Sequence, residues 1–387
     1  MTIQKIAVAG EIYSANVGDR AIHACLLHLL KHFNPAVETL SIDLSGRSPA
    51  VGTRGKQHPA RWAAPGGFQL PLVLANLAAH QLRMLRGRGA RLRQTLQDAD
   101  LLVIGGGQLL MDDALNFPLK ISALTMAAHS LGLPHAFSAC GVGADWSALG
   151  GRLLRAALNG ARSISLRDQL SRERLERLSP GLNSRVTFDP AIWAAEVYPL
   201  PPSAPGGCLG LGVISREEAN LRLARGQRFS KSDWNQLWLD LIGELSAGGR
   251  PLELFTTGSP ADQASAQQLW ACARQRGWQQ VRLAAPPASP QTLLATFSGY
   301  SLVVAARLHA AILANAMGIS TIGLGWDQKV KAYYAECGRT DQCFDLTQLT
   351  ANPVAQTSAD LWRQPFPAQK LAELKLRALE NARMILD

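Results

Sequence analysis

Residues 300–329 read YSLVVAARLHAAILANAMGISTIGLGWDQK. Positions 301–305 form a short apolar run, the length of a buried strand. Positions 310–317 are good helix formers. Gly318 stops that helix, 320–324 is the next strand, and Gly325, Trp326, Asp327, Gln328 and Lys329 make the loop beyond it. The stretch is therefore a parallel β–turn–α–turn–β unit. Arg307 and His309 fall at its first strand-to-helix turn and Lys329 at its second. Open α/β sheets bind ligands at the carboxyl ends of their strands. A helix N-terminus flanked by Arg and His is an anion site by geometry and charge. The structural alternative is that Arg307 caps a surface turn and His309 packs against the sheet.

Composition sets the bounds around this unit. The chain has 387 residues, 47% of them hydrophobic, enough at about 150 residues per domain for two to three domains. No apolar run reaches the roughly 18 residues of a membrane-spanning helix. The sequence opens directly on a strand, without the basic head and apolar core of a signal peptide. Six cysteines stand at 25, 140, 208, 272, 337 and 343, with no C-x-x-C and no metal spacing. That usage suits reduced thiols in a cytoplasmic protein and predicts no metal site. The net charge of +10 points to anionic partners. Arg83, Arg86, Arg88, Arg91 and Arg93 crowd one short stretch. Aromatics are sparse around them, so the stacking platform of a single-strand nucleic-acid binder is missing, and no nucleic-acid partner is expected.

Outward from the central unit, the pattern repeats. Strands are expected at 5–10, 39–44, 100–104, 135–139, 163–166 and 185–188, alternating with helices at 19–32, 116–131, 147–158 and 169–178. Asn16, Gly18 and Asp19 are turn and N-cap residues before the first of these helices. Gly105, Gly106 and Gly107 follow the middle strand, where backbone must turn tightly or be closely approached. Residues 45–67 are rich in Gly, Pro and Arg and read as a flexible loop. Residues 68–96 read as two helices split at Gly87 and Gly89, apolar on one side and followed by the arginines. Such a segment either packs on the sheet or lies against anionic headgroups at a membrane. The Pro/Gly-rich stretch 198–207 is the expected linker. A second series follows, with strands at 208–214, 252–255 and 281–283 before the central unit and a long helix at 368–385. The expected domains are 1–200, carrying a basic insertion at 45–96, and 201–387, closed by the terminal helix. Alternating strands and helices imply two doubly wound, Rossmann-like α/β domains facing a central crevice, the plan of a GT-B-like enzyme.

With these elements in order, the chain resembles the polysaccharide pyruvyl transferase family. The resemblance is carried by Asn16-Val17-Gly18-Asp19, Gly105-Gly106-Gly107, Arg167-Asp168 with Ser171, Asp189-Pro190-Ala191, positions 210–216, Ala306-Arg307-Leu308-His309-Ala310 and Asp327-Gln328-Lys329. The R-x-H motif with its trailing D-x-K is the most specific part. The resemblance implies transfer of the enolpyruvyl group of phosphoenolpyruvate to a sugar of a polysaccharide or its lipid-linked precursor. The product is a cyclic pyruvate ketal, and phosphate is released. It also implies the donor on the second half and the acceptor on the first.

The residue types suit that chemistry. Phosphoenolpyruvate carries a phosphate and a carboxylate, so it needs several positive groups. Arg307 and Arg216 end two strands of one expected sheet and can each bind an oxyanion in bidentate fashion. Lys329 adds a point charge. His309 can hold the phosphate or protonate the methylene carbon. Asp19 is the candidate base, with N-capping as its alternative role; Asp112, Asp113 and Asp189 are further carboxylates. Arg167, Asn16, Gly105, Gly106, Gly107 and Asp189 complete the expected substrate-binding set, and Arg167 could equally be a helix-start residue. No cofactor is expected beyond the donor substrate. The Arg83–Arg93 cluster makes an anionic membrane surface a candidate partner, placing the protein peripherally on the inner face of the membrane. The rival readings are a nucleotide-sugar glycosyltransferase on the same fold, for which Trp326 and Asp327 are also in place, and a noncatalytic anion-binding homologue.

Overall fold

The computed structural model describes residues 3–47, 70–200, 207–223 and 227–387. Most of the expected loop at 45–67 and the core of the expected linker, 201–206, lie outside them. The chain divides into two compact units: Met1–Ser14 with Ile22–Pro190 and Lys375–Asp387, and Ala15–Ala21 with Ala191–Leu374. Each is built on one six-stranded sheet, and every strand pairing is parallel.

The first sheet contains β1 (Lys5–Gly10), β2 (Glu38–Asp43), β3 (Leu101–Gly105), β4 (His135–Cys140), β5 (Ser163–Leu166) and β6 (Arg185–Val186), in the order β2-β1-β3-β4-β5-β6. Its central strands are near-continuous apolar runs. Ile6 to Ala9 and Leu101 to Ile104 are fully buried, as strands covered on both faces must be. The expected pair of helices around the arginines is present as Leu70–Leu85 and Arg88–Leu96. They part at Gly87, whose left-handed φ of 79° suits glycine.

The tightest packing in this unit lies at the glycines after β3. A Cβ on Gly105 would meet Leu26 Cδ2 and Ser138 Cβ at 2.9 Å, and one on Gly106, at φ +77°, would stand 2.0 Å from Ile22 Cγ2. Packing alone thus demands glycine at 105 and 106. Gly106→Ala is expected to lower stability by about 2–4 kcal/mol, from overpacking together with a left-handed backbone. Gly181 has the same left-handed backbone (φ +79°) but open space around it, so Gly181→Ala should cost only about 1 kcal/mol. Urea midpoints of the two variants check this difference.

The second sheet contains β7 (Cys208–Gly212), β8 (Leu252–Phe255), β9 (Val281–Leu283), β10 (Tyr300–Ala305), β11 (Thr321–Gly325) and β12 (Cys343–Asp345), in the order β12-β11-β10-β7-β8-β9. The chain runs outward from β7 in one direction, returns to β10 beside β7, then runs outward in the other. That reversal is the topological switch of a dinucleotide-binding type of sheet.

Two features depart from the sequence reading. The terminal helix Ala368–Leu386 was expected to close the second half, but from Lys375 onward it belongs to the first unit. Its buried Asn381 explains why: the side-chain amide donates to Ser138 Oγ at 2.9 Å while Oδ1 meets Ser165 Oγ. Arg377 Nη2 donates to the Thr187 carbonyl at 3.0 Å, and Ala378, Ala382 and Ile385 are fully buried. The helix Ala351–Leu361 was not anticipated in the sequence. Pro353 is tolerated there because it falls in the first helical turn.

No disulfide joins the cysteines among the described residues. Burial pushes the Cys140, Cys337 and Cys343 thiols up to about 12 and Cys208 to about 11. Because the thiolate is the nucleophile, these four are expected to react slowly with an aromatic disulfide reagent at neutral pH. Denaturant should release fast reaction.

Candidate functional site

Within the second unit, Ala305 of β10 pairs in register with Gly212 of β7, so the chain leaves both strands at one height. Arg307 follows β10 at the N-cap position of the buried helix Leu308–Ala316, with no capping bond from its side chain. Ser215 follows β7 and caps the helix Arg216–Arg222. The sequence-predicted turn is therefore at the switch point of the sheet.

Arg307 is not a bare cation there. Its Nε and Nη2 donate to the two oxygens of Asp262 at 2.8 and 3.0 Å, and Nη1 lies 3.6 Å from Glu218 Oε1. Asp262 stands in the first turn of Pro260–Gln275, after β8. It is fully buried and also accepts the Ser215 backbone N–H at 2.9 Å. One carboxylate thus ties the β7 loop, the β8 helix and the β10 arginine together. Burial by itself disfavours the guanidinium charge, but the Asp262 and Glu218 carboxylates outweigh it and hold Arg307 above its ordinary range. For Asp262, burial pushes the carboxyl up while Arg307 pulls against it. Fourteen per cent of the Arg307 side chain remains exposed, and its Nη1 points away from the bidentate pair.

Trp326, after β11, is buried and donates its indole N–H to the Ala306 carbonyl at 2.7 Å. Its ring lies 5.7 Å from the Arg307 guanidinium carbon and 5.4 Å from Lys329 Nζ, within cation–π reach of both. Lys329 Nζ is 3.5 Å from Asp327 Oδ2, and Asp327 caps the helix Gln328–Glu336 by accepting from the Lys329 backbone N–H. The expected R-x-H and D-x-K motifs are therefore joined through one indole.

The third part comes from residues 15–21, which cluster with the second unit. The Val17 backbone N–H donates to the Thr257 carbonyl at 2.9 Å. Gly258, at φ +103°, carries no Cβ that would strike the Ala15 carbonyl oxygen at 2.4 Å. Gly18 lies directly on His309: a Cβ there would be 2.3 Å from His309 Cβ. Asn16 Oδ1 accepts from the Gly18 N–H at 3.1 Å, so Asn16 supplies the local turn. The Asp19 carboxylate faces His309 instead, with Oδ1 3.9 Å from Nδ1, within reach of a charge interaction. His309 is 8% exposed.

Arg216 sits at the same switch point, but its guanidinium pairs with Glu217 at 2.9 Å and reaches the Phe229 carbonyl at 3.5 Å. The cluster therefore carries at least as many carboxylates as cations, unlike the plainly basic pocket that Arg216, Arg307 and Lys329 suggest in sequence. Asp262 and Glu218 are the residues the sequence does not single out. An acidic residue in a first helical turn reads as ordinary dipole compensation.

The remaining candidates lie in the first unit. Arg167 is buried beside Asp168 (3.2 Å) and Asp189 (3.9 Å). Its Nη2 would stand 2.7 Å from a Cβ on Gly141. Asp168 caps its helix by accepting from the Ser171 N–H at 2.7 Å. Asp112 accepts from the Leu115 and Ser147 backbones at 2.7 and 2.6 Å. Asp113, Ala114 and Leu115 are consecutive left-handed residues, a conformation that costs about 1 kcal/mol or more at each non-glycine position. Among the described residues no cluster of His, Cys, Asp and Glu suits a metal ion.

The fold defined by these two sheets is shared with solved structures. The chain resembles UDP-GlcNAc 2-epimerase from Methanocaldococcus jannaschii, with a TM-score of 0.57, 11% identity and coverage of 97% of this chain and 99% of that one. It also resembles the Neisseria meningitidis UDP-GlcNAc 2-epimerase (TM-score 0.56, 12% identity, 97% of each chain) and a putative UDP-N-acetylglucosamine 2-epimerase from Listeria monocytogenes (TM-score 0.54, 12% identity, 99% and 91%). At such identity the likeness is one of fold, and it makes this a GT-B-like α/β protein. No curated protein matches the sequence. The family described as Polysaccharide pyruvyl transferase matches residues 16–328, and the chain belongs to that family of transferases.

Proposed function

We propose that the protein transfers the enolpyruvyl group of phosphoenolpyruvate to two hydroxyls of a sugar in a polysaccharide or its lipid-linked precursor. Support comes above all from the grouping of Arg307, His309, Asp19, Trp326 and Lys329 at the switch point of one parallel sheet. Arg307, oriented by Asp262, offers its outer N–H groups to the carboxylate or phosphate of the donor, and Lys329 adds charge beside them. Backbone N–H groups at the start of Leu308–Ala316 suit the same anion. His309 delivers a proton to the methylene carbon of the enol, leaving an oxocarbenium centre at C2. One sugar hydroxyl adds there, the C–O bond to phosphate breaks, and the second hydroxyl closes the ketal. Of the two hydroxyl protons, one replaces in net terms the proton given to carbon, and the other leaves with phosphate or solvent. Asp19, facing His309, is placed to return the first of them.

Arg216 is assigned a supporting role at the rim. Asn16 shapes the turn that presents Asp19. The first-unit residues Arg167, Asp189 and Gly105–Gly107 are assigned to shaping the acceptor side. A lipid-linked acceptor brings the enzyme to an anionic membrane surface, for which the Arg83–Arg93 cluster is suited.

The test is phosphate release from phosphoenolpyruvate in the presence of candidate glycans. Release should depend on glycan and be lost in Arg307→Ala and His309→Ala. Release unchanged in both variants would remove the site assignment. Affinity for UDP-GlcNAc with none for phosphoenolpyruvate would transfer the reading to a nucleotide-sugar enzyme.

A further inference from the structure

The helix Leu70–Leu85 has one face that the first unit does not cover. Its other face is anchored: Asn76 donates its side-chain amide to the Ala114 carbonyl at 2.8 Å, and Leu72, Val73 and Leu77 are half-buried. On the outer face Leu74, Leu82 and Leu85 are 54%, 48% and 86% exposed. Successive helical residues are about 100° apart, so these three, with the exposed Ala78 between them, fall within one narrow stripe. Met84 is exposed beside them. Four of the ten exposed large apolar side chains among the described residues are on this one helix, whereas exposed apolar residues normally scatter singly.

The charge around the stripe has one sign. Arg83 is exposed in the last turn of the same helix and Arg86 in the turn just beyond it, Arg91 and Arg93 on the next helix, and no acidic residue occurs from Leu70 to Gln97. Arg88 is turned inward, donating to the Leu44 carbonyl at 3.2 Å, so it ties the start of the second helix to the chain that follows β2. We infer that this face is a membrane-docking surface. The leucine stripe enters the headgroup boundary of an anionic bilayer, and the four exposed arginines engage the lipid phosphates. Apolar insertion flanked by basic residues is the physical requirement for a helix lying in the interface, and arginines near an anionic surface add attraction that salt screens. The inference does not depend on the reaction proposed above.

Co-sedimentation of the full chain with vesicles tests it. Vesicles of phosphatidylcholine alone are compared with an equal mixture of phosphatidylcholine and phosphatidylglycerol. Binding is expected only to the mixture and should weaken as salt rises from about 0.1 M to about 0.5 M, where screening shortens to a few ångströms. Leu74→Ser/Leu82→Ser/Leu85→Ser should bind about a hundredfold more weakly. Arg83→Gln/Arg86→Gln/Arg91→Gln/Arg93→Gln should lose the preference for phosphatidylglycerol. Both variants change exposed side chains, and circular dichroism checks that they fold. Absence of binding to the mixed vesicles overturns the inference. So does a leucine variant that binds like the parent, and so does a dimer in solution that the leucine substitutions dissolve.

Discussion

Asp262→Ala is expected to lower stability by about 3–5 kcal/mol, the cost of leaving a buried charge without its partner. The reason is specific to this site. Asp262 is fully buried and gives both carboxylate oxygens to Arg307, and one of them also receives the Ser215 N–H. Removing it leaves a guanidinium with Glu218, at 3.6 Å, and the charge of Asp19 as its remaining carboxylate neighbours. It also leaves an orphaned backbone donor at the end of the β7 loop. The double variant Asp262→Ala/Arg307→Met separates the structural from the catalytic contribution. Deleting both members of a buried pair is often close to neutral, so the double variant should regain most of the lost stability in urea denaturation while phosphate release stays absent. A single variant as stable as the parent would show that the pair does not hold the switch point together.

The second large effect is at His309. His309→Gln is expected to reduce phosphoenolpyruvate-dependent phosphate release by about 10²–10⁴-fold if the imidazole moves a proton in the reaction. Glutamine keeps hydrogen-bonding capacity but cannot serve as an acid near neutral pH. A loss in kcat with KM little changed therefore marks proton transfer, and a rise in KM with kcat retained marks a phosphate ligand. Gly18→Ala probes the same residue from outside. Its Cβ would be 2.3 Å from His309 Cβ and 2.7 Å from Nδ1, so the ring must move. Misplacement by about 1 Å costs on the order of 10²-fold in a positioned reaction, and the kcat of Gly18→Ala is the measurement. Activity equal to the parent's in Gly18→Ala would remove His309 from the reaction.

Much of this was legible in residues 300–329. The apolar run at 301–305 became β10 (Tyr300–Ala305), and the helix formers became Leu308–Ala316. The parallel βαβ grammar put Arg307 and His309 at a strand end because no other placement satisfies a short crossover. What the local pattern does not encode is the identity of partners distant in sequence. Asp262 lies 45 residues before Arg307 and, read locally, is one more carboxylate in a first helical turn. The two readings of Asp19, cap or base, were not separable in sequence, since both need a short acidic residue beside a turn. In the structure the turn is made by Asn16 Oδ1, and Asp19 falls in the first helical turn with its carboxylate 3.9 Å from His309. The glycines at 105 and 106 were legible as close-approach positions. What approaches them is Leu26, Ser138 and Ile22, a packing requirement that sequence expresses only as the absence of a side chain. The destination of the terminal helix was misread for a similar reason. Its last two turns are chosen by a buried amide that finds Ser138 and Ser165 more than two hundred residues earlier.

That return has a consequence for how the chain is made. Ala139 N donates to Ser165 Oγ at 2.7 Å, and Ala139 itself is held at φ +47°. The hydroxyl that fixes this strained strand end is in turn fixed by Asn381. During vectorial synthesis, domains generally fold as they emerge, yet here the first sheet leaves the ribosome long before Lys375–Asp387 is available. Until then the surface that buries Ala378, Ala382 and Ile385 in the finished chain has no cover. A fragment cut at the linker inherits the same gap permanently, so dissecting this protein calls for grafting the distant helix back onto the first unit.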